Sequence, residues 1–180
     1  MELPLAYYGN SVLRKKTELI KDINDEIRQL VTDMIDTMRA NDGIGLAAPQ
    51  VHRSLALFIT EVPIHVANDP DRWEAGPVRV FINPKIIAHS DERWNRGEGC
   101  LSIPGVYGEV LRPVCITVQA MDLEGNIFKE EFTWLAARAF MHENDHINGT
   151  LFIDRLSADH RKAIEPHLNE VKKKYSEKRR

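Results

Sequence analysis

Trp134-Leu135-Ala136-Ala137-Arg138-Ala139-Phe140-Met141-His142-Glu143-Asn144-Asp145-His146 is the stretch on which the fold turns. Its first eight residues are apolar on nearly every face, and a helix that is apolar all round is a buried one. Thr133 is placed to cap its start, and Gly149 to end it. The last five residues set two imidazoles four positions apart, with a carboxylate beside the first. Positions i and i+4 of a helix share a face, so both rings can grip one cation. Glu143, turned ~100° from His142 around the helix, can reach a water instead of competing as a ligand. The competing reading is an exposed helix end with two solvated histidines. The apolar run argues against it, because polar groups carried into an interior are costly unless something satisfies them.

Outward from this helix, the pattern predicts one around Asn24 to Asn41. Ile27, Leu30, Val31, Met34, Ile35 and Met38 form a single stripe, with Asn24 as cap and Gly43 as stop. That stripe is core packing. A small-residue loop, Gly43 to Gln50, follows. Leu55 to Thr60 reads as a strand, Glu61 to Gly76 as a polar excursion, and Val78 to Asn83 as a strand stopped by Pro84. Val114, Ile116, Val118 and Ala120 alternate with Cys115, Thr117 and Gln119. A turn at Glu124-Gly125-Asn126 and a return through Phe128, Glu130 and Phe132 make a hairpin. A last helix runs from about Ala158 to Tyr175. Strands between helices without regular alternation imply α+β. The expected architecture is mixed or antiparallel strands packed around a central, buried, metal-binding helix, with an N-terminal and a C-terminal helix.

The chain has 180 residues, of which 43% are hydrophobic, which fits one domain over residues 1–180. No apolar run approaches the ~18 residues of a membrane span, and no signal segment opens the chain, so a cytoplasmic protein is expected. In that setting Cys100 and Cys115 are free thiols. Cys115, in an alternating strand, reads as a small buried hydrophobe. The net charge is −3, yet residues 161–180 hold eight Lys/Arg against three Glu. A basic tail on an acidic body suits a polyanionic partner such as RNA, or simply a solvated helix end.

Two histidines do not complete a catalytic site, for which three protein ligands are usual. Asp154, His160, Glu165 and His167 lie downstream. Upstream, Cys100 sits in Glu98-Gly99-Cys100-Leu101-Ser102-Ile103-Pro104, a shaped segment carrying a thiolate ligand type.

With these blocks together, the chain resembles the peptide deformylases, which remove the N-formyl group from newly made bacterial proteins. Gly43–Gln50, Glu98–Pro104, and His142–His146 followed by Asn148-Gly149 carry the resemblance, in matching order and spacing. Weaker similarity includes Leu13-Arg14 and Phe81-Ile82-Asn83-Pro84. Met141, where many relatives have glutamine, and Ile147, where leucine is commoner, depart from the family pattern.

The resemblance implies Cys100, His142 and His146 as metal ligands and Glu143 as general acid/base. It implies that Gln50, through its side-chain amide, and Leu101, through its backbone N–H, donate to the oxyanion. Ile44, Gly45 and Gly99 would line the peptide track. The metal would be one divalent ion, usually ferrous iron, with zinc, nickel or cobalt able to substitute. The partners would be an N-formylmethionyl peptide and, through the basic C-terminal helix, the ribosome, with no DNA and no membrane. Leu135 and Ala139, seven and three residues before His142 on one helix face, are candidates for the methionine pocket. Arg138 reads as a rim or salt-bridge residue. The alternative reading is another metallopeptidase of the His-Glu-x-x-His type, with a downstream third ligand.

Overall fold

A computed structural model describes residues 1–176. Helix α1 spans Asp25–Ala40, and Asn24 caps it by accepting from the Ile27 N–H at 3.0 Å. Strands β1 (Gly45–Ala47), β2 (Leu57–Glu61), β5 (Val78–His89), β8 (Cys115–Met121) and β9 (Ile127–Thr133) form one antiparallel sheet in that order. Strands β3 (Ile64–Val66) and β4 (Asp69–Glu74) extend the β2–β5 connection as an exposed hairpin, so the Glu61–Gly76 excursion is paired strand. Strands β6 (Arg93–Cys100) and β7 (Ile103–Pro113) form a second hairpin. Helix α2 spans Trp134–Ile147, and helices α3 (Ala158–Ala163) and α4 (Glu165–Ser176) close the described chain. The architecture is α+β, as expected.

Alternation along β2 sorts the core into layers. Leu57 and Ile59 face the α1 stripe of Ile27, Leu30, Val31, Met34 and Met38. Phe58, on the opposite face, packs with Phe81 against Phe140 of α2, both rings meeting Phe140 edge-on at 4.9 Å between centroids. The other side of α2 faces the β6–β7 hairpin, with Arg138 bonded to the Val110 carbonyl at 2.9 Å. Helix α2 is thus enclosed between sheet and hairpin, which accounts for apolar residues on most of its surface.

Several expectations need correction. Thr133 precedes α2 in extended backbone but makes no side-chain cap bond. Strand β2 starts at Leu57, while Leu55 makes an isolated parallel bridge to Glu18. Strand β5 does not stop at Pro84. A register shift between Ile82 and Lys85 absorbs the proline, which has no N–H for the ladder. Asn83, at φ 49°, turns its amide to both backbone groups of Ile20. The last helix breaks at Ile164, because Pro166 cannot continue the ladder of α3. Cys115 is half-buried instead of buried. Met141 packs into the sheet-side core. Lys178, Arg179 and Arg180 of the basic tail lie outside the described residues.

Gly149 ends α2 as expected. At φ 73° it adopts the left-handed conformation, and its N–H returns to the His146 carbonyl at 3.2 Å. A Cβ there would lie 2.6 Å from the Arg14 carbonyl oxygen, so glycine also lets the N-terminal segment close on the helix end.

Candidate active site

Cys100 ends β6 where the register shifts beside Gly99, and a tight turn through Leu101 and Ser102 brings the thiol over α2. Its Sγ lies 3.3 Å from His146 Nε2. The ligand atoms of Cys100, His142 and His146 all lie within 4.8 Å of one another. Among the described residues this is the group of three that could hold a metal ion, and Asp154, a downstream alternative, is turned to Arg14 instead. One thiol and two imidazoles suit zinc or iron. Burial pushes His146 well below the ordinary histidine value, which keeps the ring in its neutral, ligating form. Burial also pulls His142 down, but its bonds to Cys100 and Glu98 outweigh this and raise it well above that value.

Glu143 is buried, and its Oε2 has no hydrogen-bond partner among the described residues. Desolvation pushes its carboxyl up to about 7, the range that suits a group taking and returning a proton near neutrality. Gly45 makes room for it, since a Cβ on Gly45 would fall 2.5 Å from Glu143 Oε1.

Gln50 sits in the single turn Ala48–Val51 that follows β1. Its Oε1 accepts from the Ala47 N–H at 2.8 Å, which fixes the amide orientation. Its Nε2 then donates to Ser102 Oγ at 3.2 Å and faces Cys100 Sγ at 3.5 Å. An N–H donor is therefore held over the thiol.

These groups open on a cleft of about 650 Å³. Ile44, Gly45, Gly99 and Leu101 line it, and α2 contributes Leu135, Arg138 and Ala139. Strand β1 is an edge of the five-stranded sheet, so a peptide can lie beside it. His146 alone of the expected site residues is absent from the lining and lies behind.

Beneath the candidate ligands lies an ionic support that the sequence pattern did not assign. His142 Nδ1 meets Glu98 Oε1 at 2.9 Å. Arg112 grips Glu98 with Nε and Nη2 at 2.6 and 2.7 Å, and Arg138 adds Nη1 at 2.5 Å. Burial raises the Glu98 carboxyl, but the bonds from Arg112 and His142 win and hold it well below the carboxylate range. Arg138 is a salt-bridge residue, as one of its two readings had it, but a buried one. The available signal was Asp145, a charge set between two candidate ligands on a buried helix.

Fold and site together define a class: an α+β protein with a Cys–His–His candidate metal centre in its cleft. The profile of the polypeptide deformylase family matches residues 2–162, and the chain belongs to that family. A peptide deformylase of Chlorobium luteolum is 39% identical over 171 residues, covering 95% of this chain and 87% of that one. The crystal structure of Arabidopsis thaliana peptide deformylase 1B in complex with an inhibitor is 38% identical, with a TM-score of 0.85 over 99% of this chain and 93% of that one. The Thermotoga maritima peptide deformylase is 35% identical, with a TM-score of 0.77 over 87% and 99%. Among the described residues no helix is long and apolar enough to cross a membrane.

Proposed function

We propose that this chain hydrolyses the N-formyl group of formylmethionyl polypeptides, releasing formate, with a divalent metal held by Cys100, His142 and His146. The observation that carries the reading is the convergence of those three ligand atoms within 4.8 Å beside a buried Glu143 oxygen that has no hydrogen-bond partner among the described residues. The metal, when bound, supplies Lewis acidity, lowering the pKa of water from 15.7 toward about 7. Glu143 takes the proton of the attacking water and hands it to the departing amine as the formyl C–N bond breaks. Gln50 Nε2 and the Leu101 N–H donate to the formyl oxygen as its charge develops. Ile44 and Gly45 on the β1 edge and Gly99 on β6 hold the peptide extended, and Leu135 and Ala139 receive the methionine side chain. Ferrous iron is the proposed occupant, with zinc, nickel or cobalt as substitutes.

The test is formate release from formyl-Met-Ala-Ser by iron-loaded protein, with C100A alongside. The reading expects turnover by the wild type and loss of both metal and activity in C100A. Intact metal and activity in C100A would leave an ordinary metallopeptidase site with a downstream ligand.

The exposed basic residues of α3 and α4 support docking to ribosomal RNA. Lys162 and Lys174 are exposed, so K162E/K174E should lose salt-sensitive co-sedimentation with ribosomes and keep turnover of the small substrate. Undiminished co-sedimentation refutes the docking.

A further inference from the structure

We propose that Arg155 is a positioning residue for the metal centre, acting on the His142 ring through Asp145, Arg112 and Glu98. This rests on the reading of Cys100, His142 and His146 as ligands. Arg155 ends the single turn Phe152–Arg155, outside the cleft. Its Nε and Nη2 fork onto Asp145 Oδ2 and Oδ1, both at 2.7 Å. Asp145 Oδ2 also accepts from Arg112 Nη1 at 3.0 Å. The remaining two nitrogens of Arg112 fork onto Glu98, whose Oε1 meets His142 Nδ1.

The relay begins and ends on α2, because Asp145 and His142 stand three residues apart on that helix. It is therefore a closed loop through β7 and β6, and each forked pair fixes the plane of its partner. Arg155 is its half-exposed member, with 46% of its side chain accessible, while Asp145, Arg112 and Glu98 are at 9% or less.

Removing Arg155 would leave Asp145 a buried carboxylate with one N–H from Arg112. A buried charge short of donors is costly, and the nearest remedy is for Arg112 to turn its fork toward Asp145. Glu98 would then lean on Arg138, which already reaches its Oε2. The bond to His142 Nδ1 would tilt, and with it the ring whose other nitrogen faces the thiol. Partners behind a metal ligand set its orientation and basicity.

Cobalt(II) is the probe, because its visible absorption reports ligand geometry directly. In the cobalt-loaded protein, R155A should shift the visible bands and weaken cobalt affinity about tenfold in chelator competition. R155K, which keeps the charge but not the fork, should fall between R155A and the wild type. R155Q supplies the same comparison should R155A fail to fold. The control is R14A, which unties Asp154 in the same turn without touching Asp145. It should lower thermal stability and leave spectrum and affinity unchanged. Arginine variants that match R14A, with lower stability but wild-type spectrum and affinity, overturn the relay. A wild type that takes up no cobalt overturns the metal reading itself.

Discussion

Gly45 stands directly against Glu143, so close that a side-chain carbon on the strand would intrude on the carboxylate at 2.5 Å. The sheet edge and the Glu143 carboxylate are thus fitted to each other across the cleft.

Replacing that glycine tests the fit. G45A should push Glu143 from its place and lower kcat for formyl-Met-Ala-Ser about 10²-fold, since a displacement near 1 Å can cost that much. Steady-state kinetics decide it, with circular dichroism to confirm the fold. An unchanged kcat would show that the carboxylate has room to move.

Gln50 should matter nearly as much as Glu143. Its amide is pinned by Ala47 and Ser102 with the donor end over Cys100. Q50A should cost about 10²–10³ in kcat, the usual loss for one donor to a developing oxyanion. A change confined to KM would assign the amide to substrate binding instead.

Asp154 gives a stability signature with a definite sign. Burial raises its carboxyl, but the bonds from Arg14 and the Leu151 N–H outweigh this and leave it below the ordinary aspartate value. The stabilisation is present in full above that ordinary value and is lost as pH falls through the lowered one. The pair is partly exposed, so D154N should cost no more than about 1 kcal/mol at neutral pH. Urea titrations of wild type and D154N should converge on acidification; a gap that persists or widens refutes the assignment.

At the end of α2, G149A should destabilise by more than about 1–2 kcal/mol. A left-handed non-glycine residue costs that much alone, and the contact with the Arg14 carbonyl adds to it. Thermal melting measures it, and a loss within ~0.5 kcal/mol would mean that the N-terminal segment shifts freely.

What could be read from the sequence is what depends on near neighbours. The stripe of α1, the cap at Asn24, the β8–β9 hairpin and the two histidines follow from residues a few positions apart. Cys100 stood out as a thiolate type in a shaped segment, and Leu135 and Ala139 by their helix face. The ligand role of Cys100 and the roles of Gln50, Ile44, Gly45 and Gly99 came instead from the resemblance of whole blocks, and the structure brings these positions to one cleft. The β6–β7 hairpin escaped notice because Arg93–Cys100 is polar, glycine-containing and mostly exposed, so its pairing leaves no apolar alternation. Proline misled twice: a bulge carries β5 past Pro84, while Pro166 divides what looked like one helix. The charge network was hidden for another reason. Arg112 meets Glu98 and Asp145 across 14 and 33 residues, and no local pattern encodes such partners.

The chain separation within the site carries a kinetic consequence. Gln50 and Cys100 meet across 50 residues, and Cys100 and His146 across 46. Contacts that distant form late, after loop closure has been met for each segment. Helical signal in a refolding chain should therefore return before formate release does, and the first turnover marks the moment when sheet edge, hairpin turn and buried helix have found one another. Catalysis in this protein doubles as a clock for the completion of its own topology.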